Sequence, residues 1–204
     1  MQDYADRIIA HYERHASHWD ADRREAGWND KKWHERFVAL LHDGATVLDL
    51  GCGGGIPVAH HAARHGLRVT GIDSSPSLIA LCRERLADQE WLVADMRGLN
   101  LARTFHGILA WDSYFHLSPD DQRAMFDVFV AHARPGTILM FNTGPAAGVA
   151  LGNYRGDPLY HASLDADEYR TLLARHDFEL IDHAIEDASA GGRTVWLARL
   201  GWPG

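Results

Sequence analysis

From residue 46 onward the chain alternates short, nearly continuous apolar runs with longer stretches in which apolar positions recur every three or four residues. The runs fall at 46–50, 68–72, 91–94, 105–111 and 136–142. Runs of this length lack the in-out alternation of a half-solvated strand, so they predict strands buried on both faces. Helical stretches between them supply the cover, which is the pattern of a parallel, doubly wound α/β sheet. Ser75-Pro76 and Ser118-Pro119 each put a capping hydroxyl before a proline, and so mark two helix starts. In the second of these helices Met125, Phe126, Phe129 and Val130 recur at helical spacing and are expected to face the sheet.

Both ends of the chain depart from this rhythm. Residues 1–43 read as two helices rich in His and aromatics, broken at 27–30, and form an N-terminal helical cap; residues 44–204 form the α/β unit. Near the other end a helix over 165–176 precedes strand-like runs at 178–185 and 193–200, joined by a turn holding Gly191-Gly192. They predict an antiparallel hairpin at one end of an otherwise mostly parallel sheet. The Gly- and Pro-containing stretch 143–159 reads as a loop, long enough to serve a function.

Composition narrows the chemistry. The 204 residues carry a formal charge of −8, with no stripe of arginines able to follow a phosphate backbone, so nucleic acid is not expected as a partner. The only lysines are Lys31 and Lys32, no glycine precedes either, and a phosphate-binding P-loop is excluded. Cys52 and Cys82 are too few for a disulfide framework. With no apolar run of membrane-spanning length and acids near Met1, the expected setting is the cytoplasm, without a membrane partner.

The most informative segment is Val47-Leu48-Asp49-Leu50-Gly51-Cys52-Gly53-Gly54-Gly55-Ile56-Pro57, an apolar strand that runs into glycines and then a proline. Four glycines at a strand's carboxyl end leave room for close backbone approach of a ligand. The dinucleotide spacing G-x-G-x-x-G/A fails in both registers, since the sixth positions are Ile56 and Val58. Pro57 also removes an N–H where a diphosphate would want donors.

Asp49-x-Gly51-x-Gly53-x-Gly55 resembles the first motif of the class I, Rossmann-like, S-adenosylmethionine-dependent methyltransferases, and later landmarks extend the likeness from residue 46 to 200. Asp73, about twenty residues beyond the glycines and followed by Ser74, stands where that family binds the cofactor's ribose hydroxyls. Asp95-Met96 resembles the pair that meets the adenine ring. Ala110-Trp111-Asp112-Ser113-Tyr114-Phe115-His116-Leu117 resembles the segment that lines first the sulfonium and then the substrate. The resemblance implies a seven-stranded sheet with an antiparallel final strand, and S-adenosyl-L-methionine as cofactor. Its site would comprise Trp19, Asp49, Gly51, Cys52, Gly53, Asp73, Ser74, Asp95, Met96 and Trp111. Asp177 departs from the pattern, because relatives usually place a glycine there.

For the chemistry, transfer from a sulfonium needs alignment more than side-chain catalysis. His116 is the candidate base because imidazole titrates near neutrality, with Asp112 and Tyr114 behind it; a His bonded only to loop backbone is the plain alternative. Tyr12, Ala16, Trp19 and Asp20 resemble an aromatic lid over the cofactor, although these aromatics could equally just dock the helices on the sheet. His11, His15 and His18 share a helical face and His61 and His65 repeat the i, i+4 spacing, but in a chain with 14 histidines such coincidences are expected, no His-Glu-x-x-His pattern occurs, and no metal is expected. The expected function is methyl transfer to a small-molecule acceptor by a monomer or homodimer. Two other readings stand beside it: an NAD(P)-dependent oxidoreductase and a non-catalytic adenosylmethionine-binding protein.

Overall fold

The structure, a computed structural model, describes residues 4–5 and 7–202. Its sheet runs in the order β3-β2-β1-β4-β5-β9-β8, with β1 (Thr46–Leu50), β2 (Arg68–Asp73), β3 (Glu90–Val93), β4 (Phe105–Ala110), β5 (Ala133–Thr143), β8 (Phe178–Asp187) and β9 (Arg193–Leu200). Pairings from β3 across to β5 are parallel; β9 runs antiparallel to both β5 and β8. The expected seven-stranded sheet and terminal hairpin are therefore both present.

Side-chain alternation divides the core into two layers. Leu48, Leu50, Ile108, Leu139, Phe141, Trp196 and Ala198 point to one face, while Val47, Leu109, Ile138, Met140, Val195 and Leu197 point to the other. The first layer is closed by α5 (Pro119–Ala131) and α6 (Ala166–Arg175), through Phe126, Phe129, Tyr169 and Leu173. The second is closed by α2 (Lys31–Ala39), α3 (Val58–Arg64) and α4 (Pro76–Arg85), through Trp33, Phe37, Ala59, Ile79 and Cys82. Both serine caps form: Ser75 Oγ accepts from the Leu78 amide and Ser118 Oγ from the Asp121 amide, each at 3.2 Å. Val130 is the exception on α5, because the helix turns it outward and leaves it 38% exposed.

Two features position the site. Strand order reverses between β1 and β4, which opens a crevice at their carboxyl ends. Above it lies α1 (Ile8–Glu25), which packs on α4 and on a second, two-stranded sheet. That sheet corrects the reading of 143–159 as a loop. Residues β6 (Gly148–Tyr154) and β7 (Asp157–Ser163) form an antiparallel hairpin. Its two-residue turn, Arg155-Gly156, has positive φ at both positions (52° and 92°), as a type I′ turn requires. The sequence hides this strand because β6 is exposed along almost its whole length and so carries no apolar alternation.

Candidate active site

Strand ends deliver the acids. Asp49 is the fourth residue of β1, Asp73 ends β2, Asp95 follows β3 and Asp112 follows β4. Between the first two, the chain turns through Gly51 and Gly53, both with positive φ (78° and 55°). A Cβ on Gly51 would strike the Ser113 side chain and crowd Met96, so backbone forms the crevice floor there. Ser113 Oγ donates to the Leu50 carbonyl at 2.6 Å and so ties the end of β4 to that of β1.

Trp19, Gly51, Gly53, Asp73, Ser74, Asp95 and Met96 line one cavity, under Tyr12 of the lid helix. Asp49, Cys52 and Trp111 line an adjoining recess that shares Trp19, Gly51 and Gly53 with it. The structure thus gathers every residue expected to hold the cofactor, though not always by its side chain. The Cys52 thiol faces the Gly53 carbonyl at 3.7 Å and packs over Gly71 of β2. The Trp111 indole donates to Asp30 at 2.6 Å and packs in the core layer under α2.

Electrostatics set these acids apart. Burial, with the neighbouring Asp73 carboxylate second, raises Asp49 to a pKa of about 7, and its Oδ2 has no hydrogen-bond partner among the described residues. Burial also raises Asp73, against the pull of its bonds from the Gly53 and Ser75 amides, both 2.9 Å. Asp95 is fixed by Arg97, whose Nε and Nη2 donate to Oδ2 at 2.9 and 2.6 Å.

The segment after β4 separates its candidates. Tyr114 is fully buried among Phe129, Phe141 and Tyr169, and its hydroxyl donates to the Gln122 carbonyl at 2.8 Å. It is therefore a core residue, because a 3-10 turn over Tyr114–His116 rotates it beneath the sheet's end. Asp112 lines the crevice, at φ 50°, but its oxygens already accept from Arg193 Nε (2.7 Å), Arg193 Nη2 (2.8 Å) and Asn142 Nδ2 (2.9 Å). His116 reaches the crevice. Its Nδ1 lies 2.8 Å from the Tyr160 carbonyl, which can only accept, so that nitrogen carries the proton and Nε2 receives the Tyr12 hydroxyl at 2.6 Å. Burial pulls its pKa down to about 3, and the imidazole is uncharged at neutral pH. The Tyr12 hydroxyl, pushed well above its ordinary pKa by burial and then by Asp112, stays protonated.

A second cleft of about 670 Å³ opens on the far side of this pair, between α1 and the β6–β7 hairpin. Tyr12, Trp19, Asp112 and His116 line both cavities, so the two meet at these four side chains. Phe115, His161, Asn142, Ser163 and Arg193 supply other walls of the second cleft.

Contacts that a linear reading missed hold the lid in place. Asp20, 5% exposed, receives both Nη atoms of Arg85 at 2.5 and 2.8 Å. Glu13 accepts from the hydroxyls of Ser75 and Ser77 at 2.5 and 2.6 Å. Asp22 accepts from Tyr154 at 2.6 Å and from Arg155 at 3.0 Å, which joins the lid to the hairpin. Among the described residues no helix is long and apolar enough to cross a membrane.

Residues 47–136 match the family model for a methyltransferase domain. The chain is 36% identical over 100 residues to trans-aconitate 2-methyltransferase of an Azoarcus species, covering 48% of this chain and 39% of that protein. It is 27% identical over 154 residues to malonyl-[acyl-carrier protein] O-methyltransferase of Serratia marcescens, covering 72% and 60%. It therefore spans about two fifths to three fifths of the length of these curated relatives. In fold it resembles 1,6-didemethyltoxoflavin-N1-methyltransferase of Burkholderia thailandensis, solved with its acceptor and S-adenosylhomocysteine, at a TM-score of 0.77 and 20% identity over 98% of this chain and 90% of that one.

Proposed function

We propose that this chain, whose residues 47–136 match a methyltransferase domain, is a class I S-adenosylmethionine-dependent methyltransferase that methylates a small molecule seated in the cleft between lid helix and hairpin. The observation that carries this reading is the junction of two cavities at Tyr12, Trp19, Asp112 and His116. One cavity has the floor of backbone and the carboxylates a nucleoside needs; the other opens from it with an aromatic and polar lining.

The residues present fit the cofactor. Asp49 has a buried oxygen without a partner among the described residues and a pKa near 7, so a positively charged group entering the recess would restore its ionised form. Asp73 and Ser74 offer oxygens to ribose hydroxyls, while Met96 and Leu78 offer apolar surface to a purine. When bound, S-adenosyl-L-methionine supplies an activated sulfonium methyl group. The chain's own part is to align the acceptor and exclude water. Trp19 and Tyr12 cover the junction from the lid, and His116 orients the Tyr12 hydroxyl there. The acceptor's proton would pass to Tyr12 as that hydroxyl passes its own to Nε2. The low pKa makes His116 a weak base, which suits an acceptor that is itself acidic or one that needs only alignment. A net charge of −8 favours a free small molecule over nucleic acid, acted on in the cytoplasm by a monomer or homodimer.

Isothermal titration with S-adenosylhomocysteine, NADH and NADPH tests this. Binding of the first alone supports it, and Asp73→Ala should abolish that heat; binding of a dinucleotide instead overturns the reading. A metabolite-wide transfer assay then separates an enzyme from a mere binding protein by the appearance of methylated product.

A further inference from the structure

On the lid helix α1, His11 and His15, which line neither of the two cavities, stand one helical turn apart with ring centroids 4.8 Å apart. Spacing grouped this pair with His18 rather than with a third ligand from elsewhere in the chain. The fold supplies one from 142 positions along the chain: Asp157, the first residue of β7, whose Oδ2 lies 2.9 Å from His15 Nε2. One ligand atom from each of the three residues lies within 4.8 Å of the others. His11 is only 7% exposed, and its ring makes no hydrogen bond among the described residues. A cleft of about 280 Å³, lined in part by His11, Arg14 and Asp157, gives access.

We propose that His11, His15 and Asp157 bind a borderline divalent cation of the Zn²⁺ type, which staples the lid helix to the hairpin. Two imidazoles and one carboxylate are a donor set that such ions favour, with water completing the shell. Ligand atoms around a tetrahedral ion with bonds of about 2.0–2.1 Å lie about 3.3 Å apart, so closure needs side-chain shifts of only about an ångström. The proton now shared by His15 and Asp157 would move to His15 Nδ1 or leave. Arg14 opposes the ion, since its Nη1 lies 2.7 Å from the same Asp157 oxygen, but its side chain is 65% exposed and free to swing into solvent.

The test is a Co²⁺ titration of the full chain after chelator treatment, read by visible d–d absorption, with Zn²⁺ as competitor. One equivalent should bind, and Zn²⁺ at a hundredfold excess over its Kd should raise the Tm by roughly 5–10 °C. His15→Ala and Asp157→Ala should each weaken binding at least about tenfold. Arg14→Ala, an exposed change that leaves the fold alone, should tighten it, and His61→Ala, in the other histidine pair, should leave it unchanged. A protein that gives no d–d band at millimolar Co²⁺, or one whose affinity is unmoved by Asp157→Ala and Arg14→Ala, overturns the proposal. So does loss of the band in His61→Ala.

Discussion

The Tyr12 hydroxyl donates to Nε2 of His116 at 2.6 Å, and the two rings meet edge to face at 5.2 Å. One bond thus joins the lid helix to the segment that follows β4, at the place where the two cavities touch. Tyr12→Phe removes that bond and strands a buried imidazole nitrogen. The expected result is a kcat lowered by about 100-fold with the Kd for S-adenosylhomocysteine nearly unchanged. His116→Ala should give a similar loss, and the double variant little more, because the pair acts as a unit. Additive losses in that cycle would count against a shared role.

The pH profile offers an independent check on the same histidine. Its pKa falls from 6.5 unfolded to about 3 folded, so the unfolded chain binds the extra proton between those values. Its contribution to stability is fully present above about pH 6.5 and is lost progressively as pH falls toward 3. The wild-type Tm should therefore fall more steeply from pH 6.5 to 4.5 than that of His116→Gln. Likewise, kcat should show no ionisation from this imidazole between pH 6 and 8.

Asp49 runs the other way. Its pKa rises from 3.8 to about 7, so the folded protein keeps a proton that the unfolded chain gives up. That stabilisation is complete below about pH 3.8 and disappears as pH climbs through 7. A cationic ligand needs the ionised form. Its affinity should therefore increase as pH rises, by up to tenfold per unit below 7, and level off above it. Titration calorimetry at pH 7 in two buffers of different ionisation enthalpy should register proton release on binding, and Asp49→Asn should remove it.

Much of this site is legible in the sequence. The glycine turn and the acids at 49, 73 and 95 declare themselves because each ends or follows an apolar run, where local sequence and strand end coincide. Tyr114 misled because a 3-10 turn, invisible in composition, sends alternate residues of one segment to the core and to the crevice. Arg85 and Arg97 carried no signal, and the lid pattern that included Asp20 did not reveal its partner, since charged residues on helices and loops ordinarily face solvent. Only the packing of α1 over α4 turns Asp20 and Arg85 into a buried pair.

That pair makes a prediction of its own. Arg85 also donates to the Gly54 carbonyl at 3.1 Å, so it clamps the lid to the glycine turn directly. Arg85→Ala leaves Asp20 buried with only Arg24, at 3.0 Å, to balance it. Trypsin should then cut faster at Arg23 and Arg24, and the KM for the methyl donor should rise while the sheet's amides keep their exchange protection. Equal protease resistance in the variant would show that the lid is held by other contacts.

At the corner before β8, where the sequence resemblance leads one to expect a glycine, Asp177 takes the left-handed conformation at φ 59°. Its carbonyl accepts from the Gly201 amide at 2.8 Å, so the corner is tied by backbone and owes nothing to the aspartate side chain in that bond. A side chain in this region carries a steric penalty that is smallest for Asp and Asn and absent for Gly. Asp177→Ala should therefore destabilise the protein, whereas Asp177→Gly should be neutral or slightly stabilising, the gain being offset in part by the freer unfolded chain. A difference of about 1 kcal/mol between the two variants corresponds to a Tm gap of about 2–4 °C for a chain of this size. Matching Tm values for the Ala and Gly variants would mean that the corner relaxes out of the left-handed region, because only that relaxation removes the advantage of a missing Cβ.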